Sequence, residues 1–198
     1  MTNFSAIKKV LLIDNQDSFT FNIVDLLRKF PEMDLQVKSS INLDINQLDF
    51  FDYLIISPGP MTPKDFPVLN QVIDFAKTGR KPLLGVCLGH QAICSHFGAK
   101  LSKLSEVIHG QQHEIEVSTD TKLYSGLPEE LKVGLYHSWH VEKDSLPESL
   151  QITAQSRSGI LMSVEHRHLP IFGIQYHPES FLTPNGQEIL TNFFDPAP

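Results

Sequence analysis

The chain alternates short, continuous apolar runs with segments whose apolar residues recur every three or four positions. Val10-Leu11-Leu12-Ile13, Tyr53-Leu54-Ile55-Ile56 and Pro82-Leu83-Leu84-Gly85-Val86 are of the first kind, the pattern of strands buried on both faces. Residues 35–37 make a further short strand. Between these runs, Phe19, Ile23, Leu26, Leu27 and Phe30 share one helical face, with Asp17 or Ser18 placed to cap it and Pro31 to end it. Val68, Leu69, Val72, Ile73 and Ala76 form a second such face stopped by Gly79, and Ala92, Ile93, His96 and Phe97 a third stopped by Gly98. This alternation predicts an α/β fold of three layers, a mostly parallel central sheet with helices on both faces.

The pattern changes after the first hundred residues. Residues 113–117, 134–137, 151–154 and 160–164 read as short strands with few helices between, hence a short antiparallel extension. Ile171-Phe172-Gly173-Ile174-Gln175-Tyr176 returns to a buried strand, and Ile189, Leu190 and Phe193 share a closing helical face. A length of 198 residues suits one domain, residues 1–198, with its core at about 10–194. The net charge of −7 lacks the basic stripe of a nucleic-acid binder or a binder of anionic membranes. No apolar stretch is long enough to span a bilayer, and the block at 10–13 is too short for a signal-peptide core. Two cysteines, Cys87 and Cys94, fit reduced thiols in the cytoplasm better than a disulfide framework.

Gly85-Val86-Cys87-Leu88-Gly89 places a cysteine between a strand and a helix, with a glycine two positions away on each side. This is the logic of a nucleophile elbow: a tight, strained turn that thrusts its side chain outward. The helix N-terminus behind Cys87 favours an anion, and the Leu88 N–H is placed to hold an oxyanion. Cys94, inside the next helix, reads as core. A nucleophilic cysteine needs a base. In Gln175-Tyr176-His177-Pro178-Glu179-Ser180, an extended chain would project His177 and Glu179 to one side, letting the carboxylate fix the imidazole tautomer. The other histidines sit mostly in loops or polar stretches and read as solvated. Pairs such as His109/His113, His137/His140 and His166/His168 lack the accompanying ligands of a zinc site, so no metal and no cofactor is expected. Gly59, in the sharp Ser57-Pro58-Gly59-Pro60 loop, can present a second oxyanion N–H.

Together the Cys elbow, the His-Pro-Glu segment and the Pro-Gly loop resemble the class I (triad) glutamine amidotransferases. The run Asp14-Asn15-Gln16-Asp17-Ser18-Phe19-Thr20-Phe21-Asn22, with Tyr136-His137-Ser138 and Thr183-Pro184-Asn185-Gly186, is similar to component II of anthranilate synthase and aminodeoxychorismate synthase, the first serving tryptophan and the second folate synthesis. The resemblance implies a flavodoxin-like amidotransferase fold and hydrolysis of L-glutamine to glutamate and ammonia. It implies Cys87 as nucleophile, His177 as general base and acid, Glu179 as its orienter, and Gly59 and Leu88 as oxyanion donors. It further implies Gln91 and the Ser138-Trp139 backbone as substrate-binding groups, and a separate chorismate-binding component I as partner, with residues 14–21 near the contact. Two positions depart from the family pattern. Met61 stands where a glycine is usual and is expected to narrow the glutamine pocket or force a different backbone angle. Gln111 stands where a lysine is usual and is expected to alter docking or coupling. The residues alone leave two other readings, a Cys-dependent hydrolase or peptidase on a similar sheet and a binding subunit whose pocket Met61 has closed.

Overall fold

The computed structural model describes residues 7–195; residues 1–6 and 196–198, the two ends of the expected domain, lie outside them. The elements run β1 (Lys8–Asp14), α1 (Thr20–Leu27), β2 (Met33–Ser39), β3 (Tyr53–Ile56), α2 (Val68–Gly79), β4 (Leu83–Val86), α3 (Leu88–His96), β5 (Leu101–Val117), β6 (Glu130–Val141), β7 (Leu150–Ser156), β8 (Leu161–His166), β9 (Ile171–Ile174) and α4 (Gly186–Phe194). Among the described residues the strands form one sheet in the order β2-β1-β3-β4-β9-β8-β7-β5-β6.

From β2 to β9 the ladders are parallel; from β9 to β6 they are antiparallel. The sheet is therefore mixed, and the expected mostly parallel sheet with a short extension is corrected. The difference lies in β5 and β6, of 17 and 12 residues. Most side chains of β5 are exposed or half-buried. Such a ribbon is held by its backbone ladder and carries no continuous apolar run, so periodicity revealed only its more buried parts.

Alternation within the parallel strands explains their composition. Val10, Leu12, Ile55, Leu84 and Val86 join a core cluster with Ile23 and Leu27 of α1 and Ile189 and Phe193 of α4. Leu11, Ile13, Leu54, Ile56 and Leu83 join another with Leu69, Val72, Ile73 and Ala76 of α2 and Leu88, Ala92 and Ile93 of α3. Neighbouring residues of one strand serve different clusters, so every position must be apolar. Each fully buried Leu or Ile contributes roughly 1.5–3 kcal/mol relative to exposure.

Three helix ends differ in detail from expectation. The N-cap of α1 is Phe19, not Asp17 or Ser18; the Asp17 carboxylate accepts the Phe19 N–H at 2.8 Å and Asp14 accepts the Thr20 hydroxyl at 2.8 Å. α1 ends at Leu27, where Lys29 and Phe30 donate to carbonyls three residues back, tightening the chain out of the helix. Phe30 is buried all the same, edge-on to Phe194. Gly79 is the last residue of α2, and Arg80, at φ 50°, takes the left-handed cap.

The register sets the site. Ile13 pairs with Ile56, Ile56 with Gly85 and Val86 with Ile174. The residues that follow, Asn15, Ser57, Cys87 and Gln175, thus emerge together at the carboxyl ends of the parallel strands, where open α/β sheets bind ligands.

Candidate active site

Cys87 leaves β4 with its N–H donating to Ile174 O at 2.8 Å, and its carbonyl accepts the Gln91 N–H at 3.0 Å to begin α3. Its φ of 51° and ψ of −98° lie where a non-glycine residue is strained by about 1–3 kcal/mol. The flanking glycines have a steric cause. A Cβ on Gly85 would overlap the backbone of Gly89, and one on Gly89 would stand 2.6 Å from Ile56 O. The first turn of α3 is packed against strand backbone, and the cysteine is forced to the rim of the sheet, 6% exposed.

His177 Nδ1 lies 2.7 Å from Glu179 Oε1, and both side chains are buried. The pairing holds for a reason other than the one expected. The chain does not stay extended: the Ser180 N–H donates to His177 O at 3.2 Å, closing a turn over Pro178 and Glu179. β6 and the following loop stake this turn. His177 donates its N–H to Gly134 O at 3.1 Å, and the Thr183 hydroxyl donates to His177 O at 2.6 Å. A Cβ on Gly186 would overlap Pro178 O, which is why that position is glycine. The Phe19 and Tyr136 rings flank the imidazole, their centroids 5.0 and 4.9 Å from it.

Burial acts against a charged imidazole at His177, but neighbouring Cys87 and the Glu179 carboxylate outweigh it and raise the pKa to about 10. The Glu179 carboxylate thus favours the protonated imidazole. Cys87 is close enough to exert this effect, yet Nε2 makes no hydrogen bond of good geometry to any group.

Gly59 and Leu88 are also brought together: a Cβ on Gly59 would overlap the Leu88 side chain and stand 2.8 Å from Asn15 Cβ. Asn15 secures the loop by donating its N–H to Ser57 Oγ at 3.0 Å and its side-chain amide to Ser57 O at 2.9 Å. Met61 keeps a left-handed backbone, φ 62°, and is 64% exposed. Gln111 is exposed on β5, with its side chain on His113. Buried Gln91 donates to Trp139 O at 3.0 Å, which ties α3 to the Ser138-Trp139 segment of β6. Among the described residues no three His, Cys, Asp or Glu side chains are grouped to hold a metal. A hollow of about 520 Å³ lined by Gln112, His113, Lys132 and Arg157 touches none of the residues expected at the site.

Residues 11–197 match the family described as Glutamine amidotransferase class-I. The chain belongs to this family. It is 39% identical to the aminodeoxychorismate/anthranilate synthase component 2 of Bacillus subtilis, over 94% of this chain and 95% of that one. It is 42% identical to the anthranilate synthase component 2 of Pseudomonas aeruginosa, over 93% and 94%. A crystal structure from Thermoplasma acidophilum, described as that of a candidate GMP synthase subunit, superposes with a TM-score of 0.85 at 27% identity, covering 96% of this chain and 93% of that one.

Within this amidotransferase, some buried polar residues near Cys87 were given no role by sequence reasoning. Gln175, fully buried, donates to Cys87 Sγ at 3.5 Å. Most histidines other than His177 were expected to be solvated, but His137 and His90 are 4% and 0% exposed. Burial lowers their pKa values to about 4 and about 3, so both imidazoles are neutral at pH 7. His90 lies in the first half of α3, against Gly173 and Cys94. Cys94 is core as expected, its thiol pushed up by burial. Phe19, Tyr136 and His137 lie in the motifs that carry the family resemblance, which is the signal that marks them. Gln175 carries only the weaker mark of a polar residue ending an apolar run.

Proposed function

We propose that the chain is the glutaminase subunit of a two-component, chorismate-converting enzyme, hydrolysing L-glutamine and delivering ammonia to component I. The observation that carries the reading is the buried Cys87 on its strained strand–helix elbow, beside the buried His177–Glu179 pair in the turn after β9. Cys87 Sγ attacks the side-chain carboxamide carbon as thiolate, and the N–H groups of Gly59 and Leu88 receive the developing oxyanion. His177, in its protonated form, gives its proton to the departing ammonia, leaving a glutamyl thioester. The neutral imidazole then takes a proton from water, whose attack on the thioester expels the Cys87 thiolate and releases glutamate, whose own acid proton goes to solvent, so the thiolate–imidazolium pair is restored. Glu179 keeps Nδ1–H fixed, so Nε2 is the atom that exchanges protons. Gln91 and the Ser138-Trp139 backbone hold the substrate.

The core clusters on either side of β1, β3 and β4 support a three-layer arrangement, and the family match along residues 11–197 supports a single domain. A partner of the component I type is supported by the names of the relatives and by exposed apolar side chains beside the site. Phe21, Met61 and Phe181 are each more than half exposed, and each lies two residues from Phe19, Gly59 or Glu179. A nucleophilic thiol that must stay reduced suits the cytoplasm.

The test is glutamate release by the chain alone and with a chorismate-binding component I. Low activity alone, strong stimulation by the partner and loss of both in Cys87→Ala are expected. Full activity in Cys87→Ala overturns the mechanism, and equal rates with and without the partner overturn the coupling.

A further inference from the structure

A continuous run of buried side-chain amides joins the nucleophile to the substrate-binding strand. Gln175 Nε2 lies 3.5 Å from Cys87 Sγ, Gln175 Oε1 lies 3.1 Å from Gln91 Nε2, and the same Gln91 nitrogen lies 3.0 Å from Trp139 O. His137 Nδ1 also reaches that carbonyl, at 2.8 Å. Gln175, Gln91 and His137 are all at most 4% exposed.

The direction of every bond follows from the one group that can only accept. A backbone carbonyl has two lone pairs and no proton, so Gln91 must turn its amide nitrogen toward Trp139 O, and His137 must carry its proton on Nδ1. The second Gln91 N–H then requires an acceptor, which sets Gln175 Oε1 toward Gln91 and Gln175 Nε2 toward the sulfur. The carbonyl of Trp139 thus decides, through two amides, that Cys87 faces a donor. We propose that Gln175 is a positioning residue for the nucleophile, donating to Cys87 Sγ with an orientation set through Gln91 by Trp139 and His137. A thiolate accepts a hydrogen bond more strongly than a thiol, so the donor favours the attacking form and holds it in one rotamer. The link also ties the nucleophile to the glutamine-binding groups, and for that part it rests on the glutaminase reading above.

The experiment compares Gln175→Leu, which removes the amide, with Gln175→Met, which keeps the length of the side chain but has no N–H to donate. Alkylation of Cys87 by iodoacetamide is followed against pH, by mass analysis of the Cys87 peptide, in the whole chain. A hydrogen bond to a charged group corresponds to a rise of about one pH unit or more in the midpoint for Gln175→Leu, and a similar rise for Gln175→Met. With component I present, kcat for glutamine falls roughly tenfold or more while KM stays nearly constant, since 1.4 kcal/mol is tenfold in rate. Thermal unfolding confirms that each variant is folded. If the leucine variant does not fold, the methionine variant of matching length decides. An unshifted alkylation midpoint in a folded variant overturns the proposal. The alkylation arm needs no glutamine, so it stands or falls separately from the glutaminase reading, which Cys87→Ala tests.

Discussion

Replacing Gly89 with alanine should separate steric necessity from helix propensity. The new Cβ would stand 2.6 Å from Ile56 O and 2.9 Å from the Ile56 Cβ and Cγ2, whereas ordinary contact begins at 3.4 Å. The neighbour has no freedom to yield. Ile56 is fully buried and is paired with Ile13 on one side and Gly85 on the other. The first turn of α3 must therefore back away by about 0.8 Å, the distance by which the contact falls short of 3.4 Å. Overpacking of this kind costs about 1–3 kcal/mol, and in a domain of this size each kcal/mol lowers Tm by about 2–4 °C, so a fall of roughly 2–12 °C is expected. Cys87 sits two residues upstream and moves with the turn; misplacement near 1 Å can lower the rate about a hundredfold. Gly79→Ala is the matched control. Its Cβ would meet only Lys81 Cγ, at 3.6 Å, in an ordinary helical conformation. There alanine is expected to add about 0.4–1 kcal/mol by restricting the unfolded chain. The assay is thermal unfolding of both variants by circular dichroism, with glutamate release measured beside it. A Gly89→Ala protein that melts and turns over like its parent would refute the argument that the elbow needs a bare backbone there.

Two further outcomes follow from charge. His90 and His137 have lowered pKa values, to about 3 and about 4, so below the unfolded value of about 6.5 the unfolded chain binds protons that the folded chain refuses. Their stabilising effect is fully present above that value and is lost as the pH falls, by about 1.4 kcal/mol per unit for each group. Denaturant midpoints should fall steeply on acidification to pH 5 (about 1.5 units below the unfolded histidine value), and His90→Gln should flatten the slope; an unchanged slope would contradict the assignment. Glu179→Gln keeps an acceptor for Nδ1–H but removes the negative charge that helps raise the His177 pKa. The alkaline limb of the glutaminase pH profile, where His177 loses its proton, should move to lower pH, and a stationary limb would show that Glu179 acts on shape alone.

Much of the molecule could be read without coordinates wherever one local requirement leaves a single chemical answer. A strand covered on both faces needs an unbroken apolar run, so β1, β3, β4 and β9 stood out. An elbow with no room for Cβ atoms needs glycines around its nucleophile, so Cys87 stood out as well. The Tyr136-His137-Ser138 and Thr183-Pro184-Asn185-Gly186 motifs were visible, but their physical causes were not. Gly186 is bare because Pro178 O lies against it, brought there by the turns that fold the loop after His177 back on itself.

Tertiary structure alone decided three matters. It set the reach of β5 and β6, whose polar residues pair through backbone atoms that every sequence possesses. It bent the chain after His177 into a turn staked by Gly134, where the pattern allowed an extended strand equally well. It buried His90, His137 and Gln175 and gave each its partner. Most buried polar side chains need a matching donor or acceptor opposite, and that partner is supplied by folding, from dozens of residues away in the case of Gln91 and Gln175.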